Sequence, residues 1–150
     1  DVLGSRGLGD VYKRQVLECC RKWQGVAEDK GQNFYMDISK NIFCRGDIEL
    51  LRKAISNIIG NAVIHSPNLA DITVSLKDNV LQIQNSGVTI PASDLEHLFK
   101  PFYRVEDSRN RETGGTGLGL YIVKSILERH KFSASINNTE NGVCFTIVLL

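Results

Sequence analysis

Two stretches carry residue types that could do chemistry. The first is Arg111 to Lys124, RETGGTGLGLYIVK, in which Gly115, Gly117 and Gly119 alternate and an apolar helical pattern follows at once. Leu118, Tyr121, Ile122, Ile126 and Leu127 recur at three- and four-residue spacing, so a helix is expected from about Leu118 to Glu128. A glycine-rich turn feeding a helix N-terminus lets backbone N–H groups approach an anion, with the positive end of the helix dipole behind them. That is the chemistry of a phosphate cradle. By itself the stretch is equally a flexible, glycine-stopped turn: it lacks the Lys-Ser/Thr ending of a P-loop, and no strand-forming run leads into it. The second stretch is the stripe Asn57, Asn61 and His65, at four-residue spacing on a helical segment. Asparagine is a mediocre helix former, and its carboxamide oxygen facing a cleft can ligate Mg²⁺, which takes hard oxygen ligands and keeps several waters. The plainer alternative is a solvated helix face.

The elements that must position these residues follow from periodicity. Residues 1–15 carry glycine and serine breaks with little period, and are set aside as a leader or assembly-artefact segment outside the domain. Val16 to Lys30 reads as a helix with Val16, Cys19, Cys20, Trp23 and Ala27 along one side, stopped at Gly31. Phe34 to Ile38 and Ile42 to Cys44 read as short strands. Asp47 is the N-cap of a helix from Ile48 to His65, whose buried stripe is Leu51, Ile55, Ile58 and Ala62; the asparagine stripe lies about a quarter-turn away. Ser66-Pro67-Asn68 ends it.

Asp71 to Lys77 and Val80 to Asn85 are expected as strands joined at Asp78-Asn79, a two-residue hairpin signal. A glycine-containing loop runs from Ser86 to Pro91, and a short helix from Asp94 to Phe99 with Ser93 as its cap. Phe102 to Gly114 is polar, carries Arg104, Arg109 and Arg111, and is expected to be a mobile loop of about a dozen residues; loops of that length in compact domains are commonly functional. Phe132 to Asn138 and Val143 to Leu150 form a closing hairpin. No internal repeat is present.

Composition narrows the class. With 150 residues, 42% of them hydrophobic, the chain can bury one core. A net charge of +1, with both signs interspersed, offers no electrostatic footprint for nucleic acid or membrane. The four cysteines, Cys19, Cys20, Cys44 and Cys144, form no CxxC pair and have no histidine at metal-ligand spacing. Adjacent Cys19 and Cys20 read as reduced, partly buried thiols, in keeping with a cytosolic compartment.

The order of these features resembles a known family. NIIGNAVIHS (Asn57 to Ser66) is similar to the asparagine box, LFKPFYR (Leu98 to Arg104) to the phenylalanine box, and GGTGLGLYIVK (Gly114 to Lys124) to the second glycine box, of the catalytic ATP-binding domain of bacterial sensor histidine kinases. That domain has the GHKL nucleotide fold. The resemblance covers about Asn33 to Leu150, and the run FYRVEDSRNRETGGTGLGLYIV is most similar to Gram-positive sensor kinases, including the vancomycin-resistance sensor type. It implies a two-layer α/β sandwich with a mixed sheet of about five to six strands and three helices on one face. Residues 16–32 would be the helix leading from a dimerisation domain, and 33–150 the ATP-binding domain.

The resemblance further implies ATP and Mg²⁺ as cofactors. Asn61 would be the Mg²⁺ ligand, with Asn57 one turn earlier helping to place phosphates or metal-bound water. In ATPases of the same fold a glutamate that activates water occupies the position of Asn57; a carboxamide has no basic group for that task. A phosphoryl donor to a partner histidine is therefore expected, rather than an efficient hydrolase. Asn85 stands where the family has an aspartate that accepts a hydrogen bond from the adenine amine, and Gly87 lets the backbone pass the base. His65, Ile90, Phe99, Tyr103, Arg104 and Arg109 would complete the nucleotide site on the base and lid sides. Gly115, Thr116, Gly117, Leu118, Gly119 and Leu120 would surround the triphosphate.

Three positions depart from the pattern: Asn85 for aspartate, Thr89 for the second glycine of the first glycine box, and Ile64 for the usual basic residue of the asparagine box. Together they predict weakened ATP binding, with about fivefold assigned to Asn85 from the loss of a charge-assisted hydrogen bond. None of His65, His97 and His130 has the acidic neighbour of a phosphoacceptor. The implied partners are therefore a dimerisation and histidine-phosphotransfer domain of the same protein and a response regulator. The chain itself would be a monomeric cytoplasmic fragment of a membrane-anchored sensor, with no nucleic-acid partner. Two alternatives stand beside this reading: a degenerate GHKL module acting in protein docking, and a stand-alone ATPase of the same fold.

Overall fold

The computed structural model describes residues 2–38, 46–101, 103 and 119–149. In order, the elements are α1 (Val2–Asp29), β1 (Asn33–Ile38), α2 (Ile48–His65), β2 (Asp71–Lys77), β3 (Val80–Ser86), α3 (Ala92–Leu95), α4 (Gly119–Arg129), β4 (Ser133–Asn138) and β5 (Gly142–Val148). The expected strand at Ile42 to Cys44 and the arginine-bearing loop, apart from Tyr103, lie outside the described residues.

The strands form one mixed sheet in the order β1-β2-β3-β5-β4, with β1 parallel to β2 and every other pair antiparallel. Asp78 and Asn79 both adopt left-handed φ, 51° and 61°, which is what a two-residue hairpin twisted like its strands requires. Period-2 alternation then assigns the faces. Ile72, Val74 and Leu76 of β2, Leu81 and Ile83 of β3, and Phe145 and Ile147 of β5 are all buried on the helix side. The registers Thr73↔Gln84↔Cys144 and Ser75↔Gln82↔Thr146 run along the opposite, largely polar face. With one face apolar and one mainly polar, a single helical layer completes the core. α1, α2 and α4 supply it, giving the expected two-layer sandwich.

α2 is the central helix. It packs on α1, on α4 and on the sheet, and buries Leu51, Ala54, Ile55, Ile58, Ile59, Gly60, Ala62 and Val63. Burial of each large aliphatic side chain contributes about 2 kcal/mol. Gly60 is where α1 comes closest: a Cβ there would run into the Trp23 ring, whose Nε1 donates to Ser56 Oγ at 3.1 Å.

Two boundaries differ from the sequence expectation. α1 is continuous from Val2, not from Val16; its later half is held by burial of Val16, Cys19, Cys20 and Ala27, and residues added to an existing helix meet no new nucleation cost. α3 is a single turn, Ala92–Leu95, with Pro91 and not Ser93 at the N-cap position and no side-chain cap bond. Pro91, at φ −55°, is preset for a helix start, so the turn begins before Ser93 can act as a cap.

Candidate functional site

The site is organised by the two ends of α2. At its start, Asp47 Oδ1 accepts the Leu50 N–H at 3.1 Å, the single cap expected from the sequence. At its finish Ser66, at φ −89° and ψ 148°, breaks the helix and leaves terminal carbonyls needing donors. Lys30 supplies them: Nζ donates to Val63 O at 2.8 Å, Ile64 O at 2.9 Å and Ser66 O at 2.7 Å. Gln32 Nε2 adds bonds to Val63 O, Ser66 O and Pro67 O. Burial pushes the Lys30 pKa down, while the three carbonyls at the negative end of the helix dipole favour its charged form.

Between these ends, Asn57 and Asn61 are half-buried and His65 is exposed. The stripe lies off the buried face, as its spacing predicts. Among the described residues neither the Asn57 nor the Asn61 side chain has a hydrogen-bond partner, although each carboxamide offers two donors and an acceptor. No group of three or more His, Cys, Asp or Glu that could hold a metal occurs among the described residues. The donor available on α2 is instead carboxamide oxygen, a hard ligand that fits Mg²⁺ alongside phosphate oxygens and water.

The end of β3 brings Asn85 to the same place. Asn85 shares the helix-facing side of the sheet with Ile72 and Val143, and its Nδ2 donates to Ser66 Oγ at 2.6 Å. Ser66 is 2% exposed, and its hydroxyl donates to Ala62 O at 2.5 Å. A hydrogen-bonded chain therefore links Asn85 to the turn of α2 that carries Asn61. Two residues on, Gly87 sits at φ +80° with its N–H on Asn141 O at 3.0 Å; a Cβ there would lie 2.7 Å from Pro67 Cγ. Glycine is needed both for the left-handed backbone and for that close approach.

α4 closes the arrangement from the other side. One residue past its end, His130 Nδ1 donates to Ile126 O at 2.7 Å and Nε2 accepts the Asp47 N–H at 2.9 Å. Nε2 faces a donor, so it accepts in this contact and Nδ1 carries the ring's N–H. The contact ties the C-terminal end of α4 to the start of α2. α4 has 11 residues, about 16 Å, which matches the roughly 15 Å from Asp47 to Asn57 along α2. α2 and α4 also pack on each other, so the helix that Gly119 begins lies beside the asparagine helix.

The remaining expected site residues divide. Ile90 is clamped through its backbone: its N–H donates to Asn138 Oδ1 at 2.9 Å, and Asn138 Nδ2 donates to its carbonyl at 2.8 Å. Phe99 packs edge-on to Phe145, ring centroids 5.8 Å apart, with Lys124 Nζ 5.5 Å from its ring, so it anchors its segment to β5 and α4. Tyr103 donates its hydroxyl to Asp94 and lies 5.3 Å from the His97 ring. Leu120 is half-buried in the first turn of α4. Arg104, Arg109, Gly115, Thr116, Gly117 and Leu118 lie outside the described residues. Sequence reasoning missed Ser66, Lys30 and Gln32. Only the Ser-Pro helix stop hinted at the first, and nothing local marks the other two.

Residues 46–150 match the histidine kinase-, DNA gyrase B- and HSP90-like ATPase family. The chain belongs to that family. ATP is accordingly the nucleotide of this fold. Among relatives, it is 35% identical over 140 residues to the sensor protein VanSB of Enterococcus faecalis, covering 91% of this chain and 31% of that protein. It is 35% identical over 131 residues to the sensor histidine kinase CusS of Escherichia coli, covering 85% and 27%. It is 38% identical over 137 residues to the sensor-like histidine kinase SenX3 of Mycolicibacterium smegmatis, covering 88% and 36%. The chain thus spans about a third of the length of these relatives.

The fold is shared with the catalytic domain of the histidine kinase ThkA, at a TM-score of 0.76 and 22% identity over 89% of this chain and 88% of that one. It is also shared with the mycobacterial sensor histidine kinase MprB, at 0.73 and 24% over 95% and 93%. Among the described residues no helix is long and apolar enough to cross a membrane.

Proposed function

We propose that the chain is the ATP-binding catalytic part of a sensor histidine kinase, donating the γ-phosphoryl group of ATP to a histidine on a dimerisation domain of the same protein. The observation that carries this is the pair of half-buried carboxamides, Asn57 and Asn61, without a hydrogen-bond partner among the described residues, on the helix whose end is hydrogen-bonded to Asn85. Residues 33–150 form the catalytic unit in this reading, and residues 16–32 the helix connecting it to the dimerisation domain. Residues 1–15 lie outside the functional unit, whose downstream partner is a response regulator. The catalytic unit works on the cytoplasmic side of a membrane-anchored sensor.

Each residue acts by position. Asn61 offers its carboxamide oxygen to Mg²⁺, and Asn57 holds phosphate or a metal-bound water. Asn85 accepts from the purine 6-amino group beside Gly87, while the backbone N–H groups of Gly115, Gly117, Leu118 and Gly119 receive the phosphates. Arg104 or Arg109 reaches phosphate from the lid, with His65, Ile90, Phe99, Tyr103, Thr116 and Leu120 lining the site. Bound Mg²⁺ supplies charge neutralisation on the phosphates. The carboxamide of Asn57 has no basic group with which to activate water. The chain therefore contributes alignment and electrostatics, the main elements of phosphoryl transfer, and leaves the nucleophile to the partner histidine.

Titration of the chain with ATP, with and without Mg²⁺, tests the reading. Binding that depends on Mg²⁺, falls at least tenfold in Asn61→Ala and tightens in Asn85→Asp is expected. Absence of ATP binding would overturn it in favour of a protein-docking module.

A further inference from the structure

We infer that Ser66 is a positioning residue that sets the purine specificity of the site, by dictating which end of the Asn85 carboxamide faces the base. The inference rests on the nucleotide reading above and goes beyond it. The argument is one of hydrogen-bond direction. A carboxylate at position 85 would present an acceptor whichever way it turned. A carboxamide has two unlike ends, and rotating it by half a turn exchanges an acceptor for a donor. Asparagine therefore leaves base selectivity undetermined unless a neighbour fixes the rotation.

Ser66 is that neighbour. It is buried at 2% exposure at the C-cap of α2, and its single hydroxyl proton is directed to Ala62 O at 2.5 Å. Ala62 O lies within the helix end and cannot itself donate. With its proton committed, Ser66 Oγ can only accept, and it accepts from Asn85 Nδ2 at 2.6 Å. Asn85 Oδ1 is then left as the outward end, with no hydrogen-bond partner among the described residues. An outward acceptor matches the 6-amino donor of adenine and opposes the 6-oxo acceptor of guanine.

Turning the carboxamide to suit guanine would set Oδ1 against Ser66 Oγ. The Ser66 hydroxyl would then have to leave Ala62 O. One hydrogen bond is at stake, so selectivity of about tenfold for adenine over guanine is attributed to this lock.

The test measures the dissociation constants of Mg²⁺·ATP and Mg²⁺·GTP for the full chain and for Ser66→Ala, Ser66→Thr, Asn85→Asp and the Ser66→Ala/Asn85→Asp pair. Ser66→Ala should lower the ATP-over-GTP ratio about tenfold by freeing the carboxamide to turn. Ser66→Thr keeps the hydroxyl and should restore the ratio. In the Asn85→Asp background Ser66→Ala should leave the ratio unmoved, because a carboxylate reads the same either way; a general loosening of the pocket would instead lower affinity for both nucleotides in both backgrounds. Retained binding with an unchanged ratio in Ser66→Ala overturns the role of Ser66 alone. Failure of the unsubstituted chain to bind either nucleotide overturns the nucleotide reading and this role with it.

Discussion

His130 Nε2 accepts the backbone N–H of Asp47 at 2.9 Å, joining the residue after α4 to the N-cap of α2 across 83 positions of sequence. Through it, the helix led by the glycine stretch is pinned at its far end to the helix that carries the asparagines. His130→Ala removes the acceptor and leaves the Asp47 N–H without this partner. A fall in unfolding free energy of about 1–2 kcal/mol is expected by urea titration, an ordinary value for one lost hydrogen bond. An unchanged midpoint would mean that water replaces the imidazole without loss.

Lys30 holds three carbonyls at the end of α2, one of them that of Ser66, the partner of Asn85. Lys30→Met keeps the aliphatic stem but removes every donor. Charged hydrogen bonds of this kind predict a loss of about 2 kcal/mol in stability. Ser66 holds Asn85, the residue proposed to face the base, so ATP affinity should fall as well. Calorimetry that finds lower stability with unaltered ATP affinity would uncouple the cap from the pocket.

The Trp23 indole occupies the space that a side chain at Gly60 would need. Gly60→Ala should cost about 1–3 kcal/mol through overpacking, outweighing the gain in helix propensity. Trp23 is the sole tryptophan, so its emission reports on this contact directly. A blue-shifted or unchanged spectrum with full stability would contradict the packing described.

Burial pushes the thiols of Cys19 and Cys20 up to about 11 and about 12, from an ordinary value near 9. Raised thiol pKa values mean that the folded chain holds protons that the unfolded chain releases first. The associated stability is therefore intact below about pH 9 and is lost as pH rises toward 11–12. Urea midpoints should decline through that window, and less steeply in Cys19→Ala/Cys20→Ala. Both thiols should also resist alkylation at pH 8 until the chain unfolds.

Helix α2 shows how far local pattern reached. Its limits, Ile48 to His65, and its Asp47 cap coincide with expectation, because an 18-residue amphipathic pattern and an aspartate cap are both local signals. The Asp78-Asn79 hairpin was equally legible, since its left-handed geometry is favoured by the residues themselves. The start of α1 was misjudged at Val16. Glycine and serine breaks argue against a helix there, yet packing of the later turns on α2 carries it back to Val2. At α3 the cause is local instead: Pro91, at φ −55°, takes the N-cap position in place of Ser93.

For the site, residue types at fixed spacing determined the asparagine stripe, the Gly87 turn and the family, because these depend on helical period, on left-handed backbone and on motif order. What the tertiary structure alone decided is how the pieces are joined. Lys30 and Gln32 reach about 30 residues ahead to cap α2, Asn85 gives its Nδ2 to Ser66, and His130 Nε2 accepts the Asp47 N–H. Each is a hydrogen-bonded contact whose donor and acceptor are distant in sequence. Such a bond leaves no periodic trace; its direction is set only once packing of the core has brought the two groups face to face.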